Sequence, residues 1–288
     1  MKLIDTHAHL NFRAFKNDFE KVISKSLKND IGLINIGTNF FTSKKAVEIA
    51  EKYERGVFAA IGLHPINIDT GLVKLKTDPR ELDGEILFEK DFDFEKYKKL
   101  AQSSSKIVAI GEIGLDYYYR PKTKRKLTLF KEKQKEIFIK QLEMAKELNL
   151  PVILHCRMAH SDLFEILKLK IKDQNFKIKG VLHGFVGTLE ELNKYLSLGL
   201  FIGFNGIIFK KIEGIDFKRI IKETPLDKIL VETDCPYLAP PNFPFSRNEP
   251  LAVQSIIQEI AKIKNLSYKE IEEITIKNTK KLFFDKIF

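Results

Sequence analysis

Cysteine is almost missing from this chain: Cys156 and Cys235 are the only two in 288 residues. That excludes a disulfide scaffold and points to the reducing cytoplasm. No uninterrupted apolar run approaches the ~20 residues of a membrane helix, and the polar opening has no signal-peptide pattern, so no membrane role is expected. Arginine is scarce as well, with eight among the 49 basic residues. The net charge of +10 suits a phosphate-rich partner such as nucleic acid, although lysine enrichment from an AT-rich genome would produce the same excess. No repeat, low-complexity tract or linker interrupts the chain, and one domain over 1–288 is expected.

What is present is an alternation of short β-branched runs with longer amphipathic stretches. The runs are KLIDTHAH, IGLINIG, VFAAIGLH, IVAIGEIG, PVILHC, KGVLHGF, FIGFNG and ILVETD, eight in all. Between them lie helical patterns such as the stripe Phe130, Ile137, Leu142, Ala145 and Leu148. Thr188 with Glu191, and Ser267 with Glu270, have capping-box spacing, and Gly199 can close the first of those helices. Eightfold alternation predicts an α/β fold, a single (β/α)8 TIM barrel with its active site at the C-terminal ends of the strands. A doubly wound sheet is the other candidate, but no glycine-rich fingerprint follows the first strand. The long interval of 48 residues from His64 to Glu112 predicts an insertion at about 68–95, its acidic second half turned away from the barrel mouth. After Tyr117, Tyr118 and Tyr119, five of the seven residues from Arg120 to Lys126 are basic.

The polar residues at the C-terminal ends of these runs form a pattern. Asp5, His7 and His9 share a face if their run is a strand, with the carboxylate behind the two imidazoles. Such a pair is half of a metal site or a hydrogen-bonded pair of core histidines. His64, Glu112, His155, His183, Asn205, Glu232 and Asp234 fall at the same end, so five of the six histidines converge there. Alternation puts Val108, Ile110 and Glu112 on one face, and likewise Ile153 with His155, Val181 with His183, and Leu230 with Asp234. Four imidazoles and two carboxylates at one rim would be costly to bury without cations. Six donors exceed one open tetrahedral site and suit two divalent ions sharing a carboxylate, an arrangement fitted to phosphoester hydrolysis. Ligand preference favours Zn²⁺ or Mn²⁺, and phosphodiester chemistry often uses Mg²⁺; Mg²⁺ or Mn²⁺ is expected in turnover, with Zn²⁺ possible after purification.

The segments DTHAHL, GLHP, GEIGLDYY, LPVILHCR, VLHGF, IGFNG, ETDCPYLAP and RNEP resemble those of the TatD family of metal-dependent deoxyribonucleases, within the amidohydrolase-like barrels. The resemblance runs over nearly the whole chain. It implies that His7, His9 and Asp234 hold one metal, that His155 and His183 hold the other, and that Glu112 bridges. Asp234 would orient or deprotonate the attacking water, and Glu112 and Asp234 are the expected catalytic groups. His64, Arg157 and Arg247 would contact substrate phosphates, and Tyr117 would stack a base beside Tyr118 and Tyr119 while Arg120, Lys122, Lys124 and Arg125 follow the backbone. The implied substrate is DNA, single-stranded and trimmed from its 3′ end, and no obligate protein partner is indicated. An ester or amide hydrolase of the same superfamily, such as an aminoacyl-tRNA deacylase, is the alternative. The chain departs from the family after HCR, where an acidic residue is common and Met158 stands here. His160 is expected to cap the helix that follows, and Cys156 and Cys235 to face away from the site and pack the barrel.

Overall fold

The computed structural model describes residues 1–73, 78–81, 88–172, 177–245 and 247–284. The eight expected strands all form: β1 (Leu3–Ala8), β2 (Ile31–Ile36), β3 (Val57–Ile61), β4 (Ile107–Asp116), β5 (Val152–Arg157), β6 (Gly180–Leu182), β7 (Phe201–Phe204) and β8 (Ile229–Val231). They pair in parallel in that order. The two ends of the sheet meet, because Ala8 bridges Cys235 and Thr6 Oγ1 donates to the Val231 carbonyl at 3.1 Å. A barrel results, and the doubly wound alternative is excluded.

Period-two alternation explains why each strand serves two cores. Ile4, Ile34, Ala60, Ile153, Val181 and Leu230 point into the barrel, whereas Leu3, Leu33, Ala59, Leu154, Leu182 and Val231 pack outward against the helices. Those helices are α1 (Phe19–Lys28), α2 (Phe40–Glu51), α3 (Phe94–Gln102), α4 (Lys124–Leu148), α5 (His160–Lys172), α6 (Leu189–Ser197), α7 (Phe217–Glu223), α8 (Val253–Lys264) and α9 (Tyr268–Phe283). The stripe foreseen on α4 is buried at Phe130, Ile137, Leu142 and Ala145 and half-buried at Leu148. Both capping boxes form, at α6 and α9, and Gly199 at φ +82° follows α6. Leu282, Phe283 and Phe284 join the inner cluster, with the Phe284 ring 4.5 Å from that of Phe58. They floor the barrel beneath the first residues of the strands.

β4 departs from simple alternation. Ala59 pairs with Ile107 but Ala60 pairs with Ala109, so one extra residue is inserted. Val108 therefore lies in the inner core and Ile110 in the outer one, and the expected common face of Val108, Ile110 and Glu112 is broken. A second slip follows against β5, where Ile110 pairs with Val152 and Ile113 with Leu154. Gly114 makes the close approach possible: it sits at φ +146° and a Cβ there would lie 2.0 Å from the His155 carbonyl oxygen.

Of the expected insertion, residues 74–77 and 82–87 lie outside the described residues. In the acidic half, Glu89 accepts from the Phe40 N–H at 2.7 Å, Asp91 pairs with Lys140 at 2.8 Å and Asp93 caps α3. All three are spent on helices. Asp78 and Glu81, from the first half, instead line the mouth. Glu81 is held there by Thr38 Oγ1 at 2.6 Å and Asn67 Nδ2 at 3.2 Å.

Candidate active site

Glu112 is the centre of the cluster. Its Oε2 faces His7 Nε2 at 3.3 Å and His9 Nε2 at 3.9 Å. Its Oε1 faces His155 Nδ1 at 2.8 Å, His183 Nε2 at 3.0 Å and His64 Nε2 at 3.4 Å. Asp234 Oδ1 closes the first side, 3.4 Å from His9 and 3.7 Å from His7. The six residues expected to hold metal thus meet in space, their donors supplied by the ends of five strands. His7, His9 and Asp234 form one compact donor group, and His64, Glu112 and His155 another; a third joins His7, His183 and Glu232.

The outer nitrogens of the imidazoles decide which lone pairs point inward. A carbonyl only accepts, so His9 Nδ1 donates to the Ile36 oxygen at 3.0 Å and bares its Nε2. Glu232 Oε1 accepts from the Gly184 N–H at 2.6 Å and from Asn205 Nδ2 at 3.2 Å as well as facing His183 Nδ1 at 3.0 Å. It is an acceptor towards all three, and His183 bares its Nε2. Asp116 Oδ2 faces His155 Nε2 at 3.1 Å, and His155 bares its Nδ1. The bared nitrogens of His9, His155 and His183 then aim lone pairs at carboxylate oxygens, and that of His9 also faces His7 Nε2 at 3.1 Å. Only protons or a cation between them make that stable, and oriented, carboxylate-backed imidazoles are what divalent ions require. His7 Nδ1 and Glu232 Oε2 are buried and have no hydrogen-bond partner among the described residues, and the N/O donor set fits a metal.

His64 differs. Its Nδ1 accepts from the Ile66 N–H at 3.0 Å, so the neutral ring carries its proton on Nε2. Although it stands within the cluster, 7% exposed, it presents a donor rather than a lone pair, suited to an anion.

The metal-free cluster carries its own positive charge. Burial disfavours charge on His155, but hydrogen bonds to Asp116 and Glu112 outweigh it and push the pKa up to about 9. Burial is likewise overcome at His183 by Glu112 and Glu232, which raise its pKa. For Glu112, burial opposes ionisation, and the surrounding His64, His183, His7 and His155 hold it well below the usual range. His7 is lowered by burial and by His183. At His9 burial is likewise outweighed by the hydrogen bond to Asp234, and its pKa is raised. Metal uptake must therefore expel protons from His155, His183 and His9, and apparent affinity should climb as pH rises towards 9. Titration calorimetry at pH 7 in buffers of different ionisation enthalpy should register the release of roughly two to three protons per chain on saturation. A buffer-independent heat would contradict this account.

Asp116 and Glu232 complete the charge inventory. With Glu112 and Asp234 they put four carboxylates around the imidazoles, not the two counted from the sequence. Two divalent cations would be balanced by the protein alone. Asp116 was detectable from its spacing of four residues from Glu112 on one strand, which returns it to the same side. Its role depends on which nitrogen His155 turns towards it, which no sequence pattern states. Asp5 does not back the imidazole rings as expected. It accepts from the Thr233 N–H at 2.9 Å and Oγ1 at 2.6 Å, and burial pushes its carboxyl up to about 8.

The proposed substrate contacts fare unevenly. Arg157 reaches the mouth, its guanidinium 3.6 Å over the Tyr118 ring. Tyr118 and Tyr119 are exposed. Tyr117 is not available to stack a base: it is 2% exposed and donates to Asp162 Oδ2 at 2.9 Å, because its ring is needed under α4. Arg247 is not at the mouth either. It donates to Asp18 and to the Ala14 carbonyl and stacks 4.1 Å over Phe15, anchoring its loop to the segment before α1. His160 ties α5 to its neighbours rather than capping it, with Nε2 donating to the Val186 carbonyl at 2.8 Å and Nδ1 2.9 Å from Tyr195 OH. Cys235 is buried in the outer core as expected; Cys156 packs against that core but also borders a cavity of the mouth.

Two cavities open from the cluster. One of about 420 Å³ is bounded by His64, Thr38, Asp78, Glu81, Tyr119 and Arg157. The other, about 730 Å³, shares His155, His183, Asp234 and Arg157 with it. No described helix is long and apolar enough to cross a membrane.

The model of the TatD related DNase family matches residues 4–284. An uncharacterized metal-dependent hydrolase of Bacillus subtilis, YabD, is 35% identical, covering 98% of each chain. A 3′-5′ ssDNA/RNA exonuclease TatD of Erwinia tasmaniensis is 33% identical over 98% of this chain and 99% of its own. Among solved structures, the TatD homologue YjjV of Escherichia coli superimposes with a TM-score of 0.78 at 28% identity, over 98% of both chains. With donor clusters of this kind at the barrel rim, the chain belongs to the TatD family and is a metal-dependent hydrolase.

Proposed function

We propose that this hydrolase cleaves phosphodiester bonds of DNA, removing nucleotides from the 3′ ends of single strands. The observation that carries the reading is the division of Glu112 between two imidazole groups beside a rim holding Arg157 and exposed tyrosines. In this reading His7, His9 and Asp234 hold one divalent ion, His155 and His183 a second, and Glu112 lies between. Such ions, Mg²⁺ or Mn²⁺ in turnover and Zn²⁺ possible, supply Lewis acidity to the phosphoryl oxygens and to water. The chain's own groups do the remainder. Asp234 orients water and takes its proton, His64 offers its Nε2–H to a phosphate oxygen, and Arg157 pairs with the next phosphate. The run Arg120–Lys126, exposed except at Pro121, continues from Tyr119 and supplies charge for a strand leaving the mouth. The printed name of the Erwinia relative supports this substrate class.

The test is incubation of the full chain, with added divalent metal, with end-labelled single- and double-stranded DNA, RNA and aminoacyl-tRNA. Single-stranded DNA should shorten from its 3′ end, and chelator or Glu112→Ala should abolish the shortening. Equal degradation by wild type and variant, or turnover confined to the aminoacyl ester, would refute the reading.

A further inference from the structure

We propose that the larger cavity beside the centre is a pocket for the nucleobase of the nucleotide being removed, with Met158 as its specificity-determining wall. The proposal deepens the phosphodiesterase reading and rests on it. Met158, Val186, Ile207, Ile212, Ile215 and Leu238 line the cavity. Its volume of about 730 Å³ lies within the ~300–1,000 Å³ typical of small-molecule sites. It is continuous with the cluster through His155, His183 and Asp234, so whatever hangs from a phosphate held there has direct access.

Met158 is 56% exposed, directly after Arg157 at the end of β5. Its backbone is unusual. Of the seven non-glycine residues at positive φ among the described residues, Asp30, Asn149, Asp234, Asn242 and Asn265 are of the type that tolerates this region. The other two are Met158 at +56° and Leu238 at +54°, and both line this one cavity, as Asp234 does. Costly backbone conformations gathered around one space mark a shape held for a ligand.

The chemistry of the two cavities selects the occupant. The smaller is walled by Asp78 and Glu81, fixed carboxylates beside polar surface. The larger is walled mainly by apolar side chains, with Glu191 on its lining committed to Thr188 and His160 to Val186 and Tyr195, and at its lip the Arg157 guanidinium is stacked on Tyr118, where a phosphate can be held while the attached group turns inward. The flat apolar-faced portion of a nucleotide is its base. An anionic or hydroxyl-rich group would find few partners among those side chains, since Asn205 is engaged with Glu232 and with the Ile207 N–H.

Two measurements on the full chain test this. The first compares removal of a 3′-terminal nucleotide carrying thymine with removal of an abasic tetrahydrofuran residue from otherwise identical single strands. Wild type should favour the base by roughly tenfold in kcat/KM. Met158→Glu should bring the ratio close to one, and Met158→Leu should retain it. The second follows fluorescence of a 3′-terminal 2-aminopurine strand on binding to metal-stripped protein. A change is expected with wild type and Met158→Leu and is expected to be absent with Met158→Glu. Equal cutting of both strands, or fluorescence indifferent to Met158→Glu, overturns the pocket. A Met158-dependent fluorescence change without any cutting would leave the pocket standing and remove the nuclease reading.

Discussion

Glu112→Gln should lose hydrolytic activity by ~10³-fold or more, the scale seen when a preorganised charge is removed from a reacting centre. It should also lower metal content on both sides of the cluster. The substitution keeps the shape of the side chain but takes one unit of charge from the place where five imidazoles converge. Oε2 serves His7 and His9 while Oε1 serves His155, His183 and His64, so neither half keeps its shared ligand. Glu112 is also the first of the charges raising the pKa of His183. In the metal-free variant that imidazole should lose its proton at lower pH than in wild type, which NMR titration of the ring resonances reads directly. Retention of full activity and full metal content would show that Glu112 is structural.

Asp234→Asn should depress kcat by ~10²–10⁴-fold, the range for a lost general base, with a much smaller effect on KM. Asp234 differs from the other carboxylates in being 18% exposed at its side chain, and it borders both cavities. It is therefore the carboxylate that a water entering with substrate can reach. Burial opposes its charge, but the hydrogen bond from His9 and the neighbouring His183 and His7 lower its pKa, so it is ionised and ready to accept a proton at neutral pH. At saturating metal, the part of the acid limb in which activity falls as Asp234 gains its proton should be missing from the variant. Comparison of kcat, KM and metal content decides the matter: undiminished kcat in a fully metallated variant would rule out proton transfer to this group.

Much of this could be read from residue order because parallel barrels put chemistry where strands end. His7, His9, His155, His183 and Asp234 each lie at the end of an apolar run, and the fold delivers them to one rim. What failed did so for local physical reasons. Two one-residue slips in β4 break its period, so Val108 and Ile110 part company although Glu112 still arrives. Tyr117 belongs to a row of three tyrosines in the sequence, yet only its ring turns under α4 to meet Asp162. Arg247 looked available until Asp18, 229 positions away, claimed it. Such long-range pairings and ring orientations are consequences of packing, invisible in neighbouring residues.

The floor built by Leu282, Phe283 and Phe284 has a bearing on how the molecule is made. His7 and His9 leave the ribosome early but wait for Asp234, and the inner residues of every strand wait for the last turn of α9. Until β8 and α9 have followed β1 there is neither a sealed interior nor an assembled centre, since both depend on contacts between these distant segments. A message cut short within α9 should therefore yield an aggregation-prone product with no partial catalyst in it.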